Sequence, residues 1–436
     1  MSVPVPRERA NRFTYLGLDV EGSSLVGHYR LDDLEFHERV DFDHVGSLEG
    51  PATRAVATLW YLIAGLSYYK AGAAREVDFG DTPLGPRALA LVRAAFLDGL
   101  GEFAYRLDLD LTDLTFVDAA PGKTHAPTVV VLDHQRVLVP FGGGIDSVVT
   151  TETLNPTLER ALFVVSPSSG RFAPLEATAA VTGLDVVRAR RTLDPIITSS
   201  KDRFFQGHVP VTAMVTLLAS VAAVATGRGG VVMSNEHSAS VENVRWRGRG
   251  VNHQWSKSFA AEVLLGQAVG EQLGDALRVA SFLRDRSELW VASVFAQLTQ
   301  YHHVFRSCNR AFRQDVAERA TGWCGECDKC LFINLILAPF LSREALRDIF
   351  HSEPLADLAL APVLETLVGL GFDHKPFECV GDPGECASAL SLVAARDEWR
   401  DVAHLSEIAS RLAPSPALSV LLAPHGESRV PAHWLR

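Results

Sequence analysis

The chain has 436 residues, 47% of them apolar and 21% charged, a balance that buries a large core and excludes intrinsic disorder. Its 41 basic and 52 acidic residues leave a net charge of −11, which argues against a dedicated nucleic-acid binder. Six cysteines are too few for a disulfide scaffold at this length, and the close spacing of three of them points to metal or redox chemistry in a reducing compartment.

The N-terminal segment Met1 to Arg12 is charged and has no apolar stretch of the kind that opens a secreted protein, so a cytoplasmic location is expected. Phe13–Leu18, Leu25–Leu31 and Glu35–Phe42 alternate apolar with polar residues and read as strands. Glu21-Gly22-Ser23-Ser24 and Asp32-Asp33 mark the turns between them. Helices are expected over Ala52–Lys70 and near Pro86–Tyr105. These elements predict an N-terminal α+β domain over residues 1–125, closing in a loop at Ala119–Pro127.

From residue 126 to 280 the pattern changes to strand–helix alternation. Thr128–Leu132, Arg136–Phe141, Ala161–Ser166, Asp185–Ala189 and Gly230–Met233 read as strands, and Pro174–Thr182 as a helix. This predicts an α/β domain with a parallel sheet, whose ligands bind beyond the carboxyl ends of the strands. The run from Val209 to Thr226 is uncharged over about 18 residues, near the lower limit for a membrane span. Its Thr, Ser and Ala content is only mildly apolar, and Pro210 and Gly227 frame it as a buried helix, so no membrane partner is expected. Residues 281–436 read as mostly helical, interrupted by a cysteine cluster.

Three constellations carry chemistry. In Phe141-Gly142-Gly143-Gly144-Ile145-Asp146-Ser147 a strand runs into consecutive glycines and then a helix. Glycines let the main chain approach an anion and the helix start presents unpaired N–H groups, a cradle for a phosphate or diphosphate. Asp146 is a candidate Mg²⁺ ligand and Ser147 a donor to a phosphate oxygen. The run is neither a Walker A loop nor a dinucleotide fingerprint, because its glycines are contiguous and no Gly-Lys-Ser/Thr follows. A tight turn with an Asp or Ser cap is the plainer alternative.

After strand Gly230–Met233 comes Ser234-Asn235-Glu236-His237, and then a loop rich in cations and amides, with Arg245, Arg247, Arg249, Asn252, His253 and Lys257. Arg245, Arg247 and Arg249, with Asn252, suit recognition of a small anion such as a nucleotide-sugar diphosphate; a solvated loop is the alternative. Glu236, His237, His253 and Lys257 are titratable and are the candidate general acids and bases. The third constellation is Cys308 with Cys324, Cys327 and Cys330, enough thiolates for a closed, structural Zn²⁺ site. An iron–sulfur cluster or plain reduced thiols are the other readings. Cys379 and Cys386 read as ordinary thiols.

The glycine run resembles the SGGxDS pattern of the PP-loop ATP pyrophosphatases at Gly143, Gly144, Asp146 and Ser147, and departs from it at Gly142, where the family has Ser. The resemblance implies an ATP-binding parallel α/β fold that releases AMP and diphosphate. Together with Gly207-His208-Val209-Pro210, SNE, VNHQWSKS, Ser307-Cys308-Asn309 and WCGECDKC, it is similar to the MurL-type epimerases of peptidoglycan synthesis. That likeness implies ATP, Mg²⁺ or Mn²⁺, and a UDP-N-acetylmuramoyl-L-alanyl-L-glutamate substrate whose terminal glutamate is inverted through an adenylated α-carboxylate. Two other readings compete: a different PP-loop reaction, such as deazaguanine nitrile formation or tRNA modification, and a non-catalytic nucleotide-binding module.

Overall fold

The computed structural model describes residues 8–117, 126–199, 202–308, 310, 322–371 and 375–436. Three long strands open the chain: β1 (Arg12–Glu21), β2 (Ser24–Leu31) and β3 (Leu34–Asp43) form an antiparallel meander. The turns fall at Gly22 and Asp32, both at positive φ, where Gly and Asp tolerate a left-handed backbone. Helix α1 (Pro51–Ala64) begins with Pro in its first turn, as its fixed φ favours. Short parallel strands β4 (Glu76–Asp78) and β5 (Thr115–Val117) extend the meander beyond β1.

The helix expected near Pro86–Tyr105 is interrupted. Helix α2 (Pro86–Ala94) passes into one wider π turn over Ala95–Gly99, and the chain turns helical again over Gly101–Arg106. This last piece carries Glu102 inward, to 5% exposure.

The α/β unit follows. It comprises β6 (Asp133–Pro140), α3 (Ile145–Thr153), β7 (Glu159–Pro167), α4 (Ala173–Val181), β8 (Val186–Thr192), α5 (Val211–Ala225), β9 (Arg228–Met233), α6 (Phe259–Leu273) and β12 (Arg278–Ser281). A small antiparallel hairpin, β10 (Val244–Trp246) with β11 (Arg249–Val251), projects before α6. The segment Thr128–Leu132 is not a strand: Val129 and Val131 stand more than 90% exposed, so their β-branched side chains have no sheet face to pack on. The 209–226 run forms helix α5, buried along most of its length, and no helix among the described residues is long and apolar enough to cross a membrane.

All strands but the hairpin join one ten-stranded sheet of order β12-β9-β6-β7-β8-β3-β2-β1-β4-β5. The first five are mutually parallel, and β8 meets β3 antiparallel, so the expected boundary near residue 125 lies between strands of a single sheet. Alternate residues of the central strands feed two cores. Leu138, Ala161 and Phe163 face α1, α5 and α6. Val137, Val139, Leu162 and Val164 face α3 and the C-terminal helices, among them α7 (Glu288–Phe295), α8 (Asp328–Leu337) and α9 (Pro383–Ala394). The helical C-terminal part therefore covers one face of the sheet.

Candidate active site

The chain leaves β6 toward β7 on one side, whereas β9 lies on the other side of β6. This reversal opens a crevice at the carboxyl ends of β6 and β9, the place where parallel α/β sheets take their ligands. The glycine run follows β6 and Ser234-Asn235 follows β9, and both line a cavity of about 460 Å³.

Gly143 has φ of +75° and lies against Leu175, a backbone that favours glycine. Gly144 is the cap residue of α3, without a side-chain cap, which leaves the first N–H groups of that helix for a ligand. A Cβ on Gly144 would meet Ser307 Oγ at 2.7 Å, whereas one on Gly142 would meet nothing within 4 Å. The Ser147 hydroxyl donates to the Gly144 carbonyl at 3.0 Å and so braces the turn. Phe141 is buried beneath it and joins β7 through Phe163 O.

Asp146 and the cations Lys257, Arg306 and Lys329 line the same cavity. Asp146 Oδ1 and Arg306 Nε are buried without a hydrogen-bond partner among the described residues, as is Ser234 Oγ. Burial, and after it the nearby Glu236 carboxylate, push the Asp146 carboxyl up to about 6. An orphaned carboxylate oxygen beside an anion cradle fits a hard divalent cation. Glu236 sits just behind, 3% exposed, with Ser238 Oγ donating to it at 3.2 Å. Burial alone would raise its carboxyl, but Lys257, its own backbone N–H, Arg284 and Lys329 more than offset that and hold it below the usual range. For Lys257, burial acts to lower the ammonium, and Cys379, Glu236 and Asp146 overcome it, so it stays charged.

Cys379, which reads from sequence as an ordinary thiol, also lines the cavity, 3.4 Å from Lys257 Nζ. Burial would raise this thiol, yet Lys257, His253 and Lys329 bring it down to about 6. His253 lies 2.5 Å from Glu102 Oε2 through Nδ1, and the influence of the nearby Cys379 and of Glu102 outweighs burial and raises the imidazole to about 9. Glu102 in turn accepts from Arg106 Nε at 2.6 Å. The companion Cys386 is fully buried in α9, where burial lifts its thiol well above the ordinary range.

The other sequence candidates lie elsewhere. His237 packs against His425, with ring centroids 4.3 Å apart, and does not line the cavity. Arg247 pairs with Asp108 at 2.7 Å and Arg249 with Asp98 at 2.6 Å, while Arg245 is exposed on the hairpin. None of the three lines the cavity; carboxylates draw Arg247 and Arg249 to the Gly101–Arg106 side. Asn252 bonds Ala239 O and accepts from Gln254 N, which shapes its own loop. Arg306, Lys329 and Cys379 are cavity residues that sequence reasoning missed. The signal for the first two was their place beside Cys308 and within Cys-Asp-Lys-Cys; for Cys379 the sequence offers none.

Cys308, Cys324, Cys327 and Cys330 converge with sulfurs within 4.8 Å of one another, a cluster able to chelate a metal ion. Three of the sulfur pairs are 3.4, 3.6 and 4.0 Å apart, against about 3.8 Å for a tetrahedron with metal–sulfur bonds of about 2.3 Å. Gly325 at φ +72° makes the turn between the ligands, and Asn309 lies outside the described residues.

Residues 5–282 match the MurL N-terminal domain and residues 304–420 the MurL C-terminal domain. Three relatives carry the name UDP-N-acetyl-alpha-D-muramoyl-L-alanyl-L-glutamate epimerase. That of Micromonospora sp. is 40% identical over 403 residues, 89% of this chain and 88% of the relative. That of Salinispora tropica is 38% identical over 397 residues, 88% and 85% of the two chains. That of Xanthomonas oryzae pv. oryzae is 37% identical over 402 residues, 90% and 87%.

Proposed function

The chain belongs to the MurL family, and from that premise we propose that it is an ATP-dependent epimerase acting on UDP-N-acetylmuramoyl-L-alanyl-L-glutamate in peptidoglycan precursor synthesis. One observation carries the chemistry. The uncapped start of α3, the orphaned Asp146 oxygen and three cations share one cavity at the switch point of the sheet.

The α-proton of a glutamate is weakly acidic because its carbanion would stand beside a carboxylate. Attack of that carboxylate on the α-phosphorus of ATP gives a mixed anhydride and diphosphate, and removes the opposing charge. The glycine loop and the N–H groups of α3 hold the β- and γ-phosphates, and Arg306, Lys329 and Lys257 draw the anions inward. Asp146 would hold a Mg²⁺ or Mn²⁺ ion, which would supply positive charge to offset that on the leaving diphosphate. A base then takes the α-proton, an acid returns one to the opposite face, and water cleaves the adenylate. Glu236 and Lys257 are the titratable sequence candidates nearest these events, and His253 acts from behind. A Zn²⁺ ion in the four-cysteine cluster would be structural, since four thiolates leave no open position.

The test is incubation with ATP, Mg²⁺ and the muramoyl dipeptide in D₂O. AMP, diphosphate and D-glutamate with α-deuterium are expected; unlabelled L-glutamate from folded protein would overturn the reading.

A further inference from the structure

We propose that Cys379 is the base that removes the glutamate α-proton, its thiolate held between Lys257 on one side and a Glu102–His253 relay on the other. The inference rests on the epimerase reading and names a residue for its central step.

Three features of the geometry single out this sulfur. First, it lines the cavity that holds the glycine loop and Asp146, so it faces the position of an adenylated carboxylate. Second, its surroundings are those of an anion: Lys257 Nζ donates to the sulfur at 3.4 Å, and the His253 imidazole is a neighbouring positive group. The charged groups acting on it are Lys257, His253 and Lys329, with Asp146 and Glu236 acting on the same lysine. Third, its segment is pinned. Asn243 Nδ2 donates to Lys375 O and to Pro376 O at 2.6 Å, Gln254 Nε2 donates to Val380 O at 3.3 Å, and Lys329 Nζ donates to Cys379 O. The residues flanking the β10–β11 hairpin and Lys329 of α8 are thereby locked to the segment before α9, around one thiol. A cysteine kept only for packing would resemble Cys386, which is fully buried in the apolar core and whose thiol burial lifts well above the ordinary range.

In the step, the Cα–H bond breaks and its proton passes to Cys379 Sγ. The electron pair forms the π bond of the Cα=C enolate, and the carbonyl π pair moves onto the oxygen, which carries the charge. An acid on the opposite face returns a solvent-derived proton and the carbonyl re-forms. No electron is gained or lost, and the thiol returns its proton to solvent before the next turnover.

The experiment compares two rates in the full-length protein: diphosphate exchange into ATP that depends on the muramoyl dipeptide, and α-deuterium incorporation from D₂O. In Cys379→Ser, deuterium incorporation is expected to fall about 10²–10⁴-fold relative to exchange, whereas Cys386→Ser leaves the ratio as in wild type. Alkylation of the native wild-type protein by iodoacetamide, mapped to Cys379 and blocked by ATP with dipeptide, is expected to abolish deuterium incorporation; this arm stands even where the Ser variant does not fold. An unchanged ratio in Cys379→Ser, equal loss of both rates, or a dipeptide found covalently on Cys379 would overturn the proposal. Absence of dipeptide-dependent exchange in wild type would instead overturn the epimerase reading beneath it.

Discussion

The Glu38 carboxylate accepts from Nε and Nη2 of Arg191, at 2.6 and 3.0 Å, and so ties β3 to β8 where the antiparallel meander meets the parallel strands. Glu38 is fully buried, and Arg191 also donates to Ser67 Oγ at 2.9 Å. Glu38→Ala would strand a guanidinium in the interior and is expected to cost about 3–5 kcal/mol in urea unfolding. Glu35→Ala, which breaks an exposed pair with Arg30, is expected to cost less than about 1 kcal/mol. Equal losses would show that the Glu38 pair is solvated.

The glycine loop predicts a rank order. Gly142→Ser points into open space and is expected to leave the KM for ATP unchanged or lower. Gly144→Ala must displace Ser307, and Gly143→Ala must hold a left-handed backbone at about 1–2 kcal/mol, so both are expected to raise that KM about tenfold. Titration with ATP and Mg²⁺ checks the order.

Arg247 and Arg249 are spent on Asp108 and Asp98. Alanine at either position is expected to leave ATP binding at the wild-type level and to cost less than about 1 kcal/mol. A large rise in the KM for the dipeptide alone would return these residues to substrate recognition.

Elemental analysis is expected to find one zinc per chain in the wild-type protein and none in Cys324→Ser. Thermal unfolding should fall in step, because metal binding to such a cluster is coupled to folding. Cys386→Ser should keep its metal, since Cys386 lies outside the cluster.

The Cys379–His253 pair sets a pH window. The His253 imidazole rises from 6.5 to about 9 in the folded protein, so its contribution is fully present below 6.5 and is lost as pH climbs through about 9. The Cys379 thiol falls from 9.0 to about 6, so its contribution is present above 9.0 and is lost as pH drops through about 6. Both charges coexist between about 6 and 9. Iodoacetamide labelling of Cys379 is therefore expected to rise through about pH 6; a midpoint at the ordinary thiol value would contradict the ion pair.

Much of the fold was legible because its signals are local. Alternation placed β1, β2 and β3, and the strand–glycine–helix run placed the glycine loop at the end of β6. The four-cysteine spacing located the cluster of thiols that could hold a metal ion. What stayed hidden depends on long-range pairing. Nothing near Arg247 announces Asp108, nor anything near Cys379 its contact with Lys257, 122 residues away. Thr128–Leu132 misled because β-branched composition mimics a strand even where no neighbouring strand accepts it.

The shared sheet also bears on dissection of the molecule. Removing the first 125 residues would strip β3 from β8 and bare a row of unpaired N–H and C=O groups along a strand with Val186, Val187 and Ala189 on it. Such a fragment would be a template for stacking copies of itself, so the parallel α/β half is expected to aggregate when expressed without its N-terminal meander.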